Sequence, residues 1–269
     1  MTTPTTTDHA ATDQRGLVRS AAYEALALAF AYPHADAEQG LRDLLADLAE
    51  HETTAALDLL ASLDALSAAL AATDSLARAA EHTRLFDTET LCTPFETDYQ
   101  ADPFAKASQL ADIAGFYQAW GVDVARARPT TPDFIGSELE FMSLIARKQA
   151  YAAARGWEAQ EALARRAQRV FLQDHLGRWI PAFTAAVAER AEGSPAGHYF
   201  AAAAAAVARL VTVDVVLFGV RPVLLRHRMV GGEQPLDCPF AAPTEEPELI
   251  PLDEIEVALP RGDAPPAAP

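Results

Sequence analysis

The chain has 269 residues, half of them hydrophobic and 22% charged. That is enough for one large domain or two small ones whose core needs no covalent staples, and two cysteines exclude a disulfide framework and do not imply an oxidising compartment. Asp and Glu number 38 against 21 Lys and Arg, a net charge of −17 that argues against a general binder of nucleic acid or anionic membrane and suits a cationic partner better.

Residues 1–12, MTTPTTTDHAAT, carry neither the basic start nor the apolar middle of a secretory signal, which together with the few cysteines points to the cytoplasm. Residues 1–14 read as a disordered lead. Apolar residues then recur at helical spacing along most of the chain, and period-2 alternation is nearly absent. The first helix is predicted over about Arg15–Tyr32, with Leu17, Ala21, Leu28 and Tyr32 on related faces, Asp13 as its cap and Pro33 as its stop. Asp36 opens a second, with Leu41, Leu44, Leu45 and Leu48, and a third follows Thr53 and Thr54 with Leu59, Leu63, Leu66 and Leu70. A fourth runs from Asp74 to near Phe86. Residues 87–104, bracketed by Pro94 and Pro103, lose the period and read as a structured loop. Helix resumes over about Ala105–Gly121, and a second loop spans 121–131. Thr131 is then expected to cap a helix with Pro132 at its first position, where the missing N–H costs nothing. That helix runs to about Ala154 on a stripe of Ile135, Leu139, Met142, Ile145 and Ala146, and further helices cover about Glu158–Leu176, Trp179–Ala191 and Pro195–Phe218.

Residues 199–220 are roughly long enough to span ~30 Å of hydrocarbon. Arg209 and Asp214 interrupt them, each costing ~2.5–3.5 kcal/mol at a bilayer centre, and consecutive alanines do not offset that. The segment reads as a buried helix of a bundle. Residues 233–269 hold nine acidic residues and one Arg, net −8, are rich in proline, and read as an acidic tail unable to fold alone. The expected fold class is all-α: a single compact multi-helix bundle over residues 15–232 between a disordered start and that tail.

Enzyme motifs for nucleotide cradles and serine nucleophiles are missing. Cys92 and Cys238 lie far apart without clustered histidines, so no metal or cofactor is expected. Asp174 and His175 are adjacent and point ~100° apart on a helix, and His175 reads as a residue near a helix C-terminus, where its partial charge is welcome. Two segments stand out. In the first, Glu81-His82-Thr83-Arg84-Leu85-Phe86 precedes Pro94-Phe95-Glu96-Thr97-Asp98-Tyr99. This gathers aromatic rings and carboxylates around a proline-stiffened turn, either as a groove for a segment both apolar and basic or as a loop packing its rings onto the bundle. In the second, Pro132 to Met142, Asp133 is expected in the first turn of a helix. Glu138 lies near the apolar stripe, so it needs a partner, an internal Arg or a ligand's cation.

The order RLF, PFE-x-x-Y, FYQAWGV, PD-x-x-x-x-ELEFM, FLQDHLGRWIPAF resembles the TorD/DmsD/NarJ-type redox-enzyme maturation chaperones over roughly residues 17–225. The resemblance implies an all-helical cytoplasmic chaperone, without catalysis or cofactor, for a molybdenum-dependent oxidoreductase of the DMSO reductase type. It implies binding of the catalytic subunit, through its twin-arginine signal peptide or another segment, and retention until the cofactor is loaded. Carried over by position, the client-binding residues are Leu85, Phe86, Pro94, Phe95, Glu96, Tyr99, Asp133 and Glu138. Many members read Pro-Asp-His where this chain has Phe134, so any role of that imidazole is lost. The aromatic residue before RLF is replaced by His82. Both changes imply a divergent branch with a different client. Glu96, Asp98, Asp133 and Glu138 are then the expected acceptors for a client's arginines. A permanently bound accessory subunit or assembly factor is the alternative, and a small-molecule or nucleotide binder lacks any phosphate cradle to support it.

Overall fold

Helical period dominates the sequence, and helices dominate the computed structural model, which describes residues 6–88, 92–100, 102, 104–122, 131–191 and 193–225. In chain order the α-helices are α1 (Thr6–Ala29), α2 (Ala35–Glu50), α3 (Glu52–Ala56), α4 (Leu60–Ala71), α5 (Ser75–His82), α6 (Ala105–Ala119), α7 (Ile135–Ala154), α8 (Glu158–Phe171), α9 (Gly177–Arg190) and α10 (Pro195–Phe218). Single π-type turns follow α5 (Thr83–Thr88) and join α8 to α9 (Leu172–Leu176), and a 3-10 turn covers Glu96–Tyr99. No strand occurs among the described residues, so the all-α fold class holds. Contacts divide the chain after Arg228. The second unit, with it the acidic tail 233–269 and Cys238, lies outside the described residues, as do Pro103 and most of the loop 121–131.

The bundle assembles on α1 and α7, whose apolar faces pack on each other. Helix α2 packs on α1, α8 on α7, α9 on α10, and α4 on α10. Tyr23, Leu26, Phe30, Leu139, Met142, Phe171, Trp179, Phe183 and Phe200 fill the core. Asp74 caps α5 by accepting from the Ala77 N–H at 2.8 Å, and Ser194 caps α10, with Pro195 in its first turn, by accepting from Gly197 at 2.8 Å.

Several boundaries differ from those the sequence predicts. Helix α1 begins at Thr6, so helix extends through Asp13 into the lead expected to be disordered. His34, not Asp36, caps α2 through Nδ1, which accepts from the Ala37 N–H at 3.2 Å. The helix expected after Thr53 and Thr54 breaks into α3 and α4 at Asp58, whose φ of 58° is left-handed. Helix α7 starts at Ile135 rather than at Pro132, because the chain before it is drawn into an extended bridge with residue 95. Asp133 therefore precedes the helix instead of sitting in its first turn. The break expected between Leu176 and Trp179 is absent, since the π turn carries α8 directly into α9.

Gly177 closes that π turn. A Cβ there would lie 2.3 Å from the Leu172 carbonyl oxygen and 2.7 Å from Pro222. Gly177→Ala should lower the unfolding free energy by about 1–3 kcal/mol, the usual cost of overpacking, in urea denaturation; a change under about 0.3 kcal/mol would mean the turn opens without strain.

Helix α10 is long and apolar enough to cross a membrane by length and composition, with a mean hydropathy of 2.0 over its most apolar stretch. In the fold it packs on α9, α4 and α1. The two charges that interrupt it are engaged: Arg209 pairs with Asp58, and Asp214, fully buried, pairs with Arg19 of α1.

Candidate functional site

The two segments singled out in the sequence meet in space. Phe95 and Phe134 form an isolated antiparallel bridge. The Glu96 N–H donates to the Asp133 carbonyl at 3.0 Å, and the Ile135 N–H donates to the Pro94 carbonyl at 2.9 Å. The Asp133 carboxylate locks the crossing from below, accepting from the Thr97 hydroxyl at 2.6 Å and from the Thr97 N–H at 3.3 Å. Phe134 folds back over α7 and meets the Phe95 ring at 5.7 Å between centroids. Gly136 permits this, since a Cβ there would come within 2.6 Å of the Phe134 ring.

Beneath the bridge is a buried polar cluster. Glu96 and Glu138 are both 0% exposed. Glu96 accepts from Gln109 of α6 and faces His175 Nδ1 at 3.2 Å. The other ring nitrogen of His175 lies 3.3 Å from Asp112. Glu138 accepts from the Trp179 indole N–H at 3.1 Å. Burial and then the adjacent Glu96 carboxylate push the Glu138 carboxyl well above its ordinary range, against the smaller opposing pull of Trp179. Burial and the neighbouring carboxylate thus favour the protonated form of Glu138, since two like charges side by side in a dry site are costly. Within the fold the hydrogen-bond partner of Glu138 is the Trp179 indole, not the internal Arg that the sequence offers as one alternative. Tyr117, whose hydroxyl donates to the Pro132 carbonyl at 2.8 Å, is likewise held protonated by burial and then by the nearby carboxyls of Glu138, Glu96 and Asp133.

Above the bridge a groove of about 720 Å³ opens to the surface. Leu28, Ala31, Phe86, Pro94, Phe95 and Phe134 supply apolar walls, and Tyr32, His34, Asp36, His82 and Asp87 line it as well. The π turn after α5 carries Leu85 inward, fully buried, and sets Phe86 between the core ring of Phe200, 5.4 Å away, and the groove. A π turn inserts one residue into a helix and so redirects the side chains beyond it. His82 lies 3.5 Å from Asp87, and burial lowers its pKa despite that carboxylate. Asp36 and Asp87 are exposed.

Of the eight residues carried over by position, Phe86, Pro94 and Phe95 line this groove. Leu85, Glu96, Tyr99, Asp133 and Glu138 lie behind it, each at most 2% exposed. Tyr99 donates to the Thr93 carbonyl at 3.0 Å and packs on Trp179 at 5.4 Å. Each buried carboxylate accepts from an internal donor, although Asp133 Oδ1 and Glu138 Oε1 receive none, and Asp98 is exposed but paired with Lys106 at 2.8 Å. The groove's own acids are Asp36 and Asp87, which the sequence pattern does not single out as acceptors. Nor does it reveal the inward role of His175, although His175 sits four residues after Phe171 and four before Trp179, the same face of an apolar stripe. Among the described residues no three His, Cys, Asp or Glu side chains are grouped so as to hold a metal ion.

An all-helical bundle with an apolar, acid-edged groove is suited to holding an extended or helical segment of another chain. Residues 36–185 match the family model described as the nitrate reductase delta subunit, and the chain belongs to that family. It is a family of NarJ/TorD-type molybdoenzyme chaperones, accessory proteins rather than catalysts, as the motif order implied. The match takes in both motif segments and all eight candidate residues. No curated protein and no solved structure matches the chain.

Proposed function

We propose that this protein is a cytoplasmic, non-catalytic chaperone that binds the catalytic subunit of a molybdenum-dependent oxidoreductase at the groove between Phe86, Pro94, Phe95 and Phe134. The bound segment is the twin-arginine signal peptide, held back from export until the cofactor is inserted. The observation that carries this reading is the groove itself: apolar walls contributed by both motif segments, with Asp36 and Asp87 at the same opening. An apolar leader stretch would lie on the rings, and its arginines would pair with the two exposed carboxylates. Leu85, Glu96, Tyr99, Asp133 and Glu138 would act as the frame that keeps Phe95 and Phe134 in place, not as direct contacts. The acidic body would speed the encounter, an effect that fades with salt.

Calorimetric titration of the full chain with a synthetic peptide, two adjacent arginines followed by an apolar stretch, tests this. A micromolar or tighter complex is expected, weaker at higher salt. Phe95→Asp, which sets a charge on the apolar wall, should weaken it at least tenfold. The reading fails if the peptide releases no heat or if Phe95→Asp binds it equally well. The family description as a delta subunit favours a second reading, a permanently bound accessory subunit. Stoichiometry separates the two, since a subunit stays with the purified active enzyme and a chaperone leaves it.

A further inference from the structure

A second groove, of about 470 Å³, lies on another face of the bundle where α7 and α8 run side by side. Its lining is almost wholly apolar or aromatic: Trp120, Leu144, Tyr151, Trp157 and Leu163 around the small side chains of Ala152 and Ala164. Ala152 and Ala164 are buried, whereas Tyr151, Trp157 and Leu163 are 51%, 46% and 59% exposed. Large apolar side chains left this open together, over a floor of alanines, form a slot of side-chain depth rather than a closed small-molecule cavity.

The charge around the slot is opposite to that of the chain. Lys148 Nζ lies 5.6 Å from the centre of the Trp120 ring, and the Arg155 guanidinium lies 4.8 Å from that of Tyr151 and 6.0 Å from that of Trp157. Among the described residues neither Lys148 nor Arg155 has a carboxylate within 4 Å, whereas Arg42, Arg84, Lys106 and Arg209 are all paired. Arg147, at the edge of the slot, is held by Glu24. On a molecule of net charge −17, two such cations beside one apolar slot form a local attractor for anions.

We propose that this slot docks a partner polypeptide segment in which apolar side chains are flanked by carboxylates. The apolar side chains enter between Tyr151, Trp157 and Leu163, and the carboxylates meet Lys148 and Arg155. The preference is the reverse of that proposed for the first groove, and the inference does not depend on it.

Two of the three tryptophans, Trp120 and Trp157, line the slot, and the third, Trp179, is buried under Glu138. Tryptophan emission of the full-length protein, titrated with the blocked hexapeptide ELFELE, therefore reads occupancy directly. A saturable change is expected, with KLFKLK and EGSEGE each binding at least tenfold more weakly. Lys148→Glu combined with Arg155→Glu, and separately Leu163→Asp, should weaken ELFELE at least tenfold while leaving the urea unfolding midpoint in place, since these side chains are exposed. The proposal is overturned if ELFELE does not saturate, if EGSEGE or KLFKLK binds as well, or if both variants bind it normally. It is equally overturned if the slot is filled by a second copy, seen as a concentration-dependent dimer that Leu163→Asp abolishes.

Discussion

Replacing Asp214 by alanine is expected to lower the unfolding free energy by about 3–5 kcal/mol, the usual result of stripping one partner from a buried ion pair. Asp214 receives the Arg19 Nε–H at 2.6 Å on one oxygen, and a second Arg19 nitrogen together with the Tyr23 hydroxyl, at 2.8 Å, on the other. Arg19 also donates to Gln168, which donates in turn to Gln149. The network joins α1, α7, α8 and α10 through groups that are 0–3% exposed. Burial opposes the Arg19 charge, but Asp214 outweighs it and raises the guanidinium pKa above its ordinary value. Without Asp214 that cation stays in a dry site with no carboxylate, answered by Gln168, the Tyr23 hydroxyl and the face of Phe218. Arg19→Met together with Asp214→Leu should recover much of the loss, because an apolar pair of similar volume removes the desolvation cost of both charges. Urea unfolding checks both, provided the slope stays constant. A loss under about 1 kcal/mol for Asp214→Ala would show that the pair does not anchor the bundle. The site lies away from the groove at Phe95, so the folded fraction of the variant should keep its peptide affinity.

Periodicity decides which parts of this fold are legible in the sequence. The 3.6-residue recurrence of Leu and Ala marks the existence of each long helix, because burying one stripe is what makes the helix stable. It does not mark an interruption that leaves the stripe in register. Asp58 breaks one expected helix in two, yet Leu59, Leu63, Leu66 and Leu70 continue the pattern beyond it, so the break is silent. The π turns are hidden for a related reason. One extra residue rotates the downstream side chains by ~100°, and both the unbroken and the widened turn bury some of Leu172, His175 and Leu176.

The site divides along the same line. The segments around Pro94 and Pro132 are visible as paired motifs because their rings and carboxylates break the helical pattern. Their crossing is a backbone event, two hydrogen bonds between segments 37 and 41 residues apart, and no local spacing announces it. A carboxylate in an apolar stripe says only that a partner exists. Glu96 finds His175, 79 residues away, and Glu138 finds Trp179, 41 residues away. Arginine was the reasonable expectation, since paired carboxylates in a core are costly unless one is neutral. Burial favours a neutral member here, and on the proposed reading these acids hold the bridge that shapes the groove.

Glu138→Gln should flatten the dependence of stability on pH, the second large effect. The folded state raises the Glu138 pKa well above its ordinary range through burial and then through Glu96, while the unfolded chain releases that proton near pH ~4.3. Below that pH both states are protonated and the contribution is fully present. As pH rises from there toward the raised folded value, the native state holds a proton that the unfolded state has lost. Stability then falls by up to about 1.4 kcal/mol per pH unit, levelling off once the folded group also ionises. A glutamine keeps an oxygen for the Trp179 N–H and offers an N–H to Glu96 at every pH, so it needs no proton. The stability of the variant minus that of the parent should therefore grow steadily from about pH 5 upward in urea unfolding, with the variant equal or superior near pH ~7. Subtracting the parent removes the ionisable groups that the two proteins share. Glu138→Ala separates this from simple packing, since it leaves the indole N–H without an acceptor and a void beside Glu96, and should be destabilised at every pH. Parallel pH curves for parent and Glu138→Gln would mean that Glu138 is ionised in the fold. Protonation of Glu138 would then have no part in holding the cluster under the bridge.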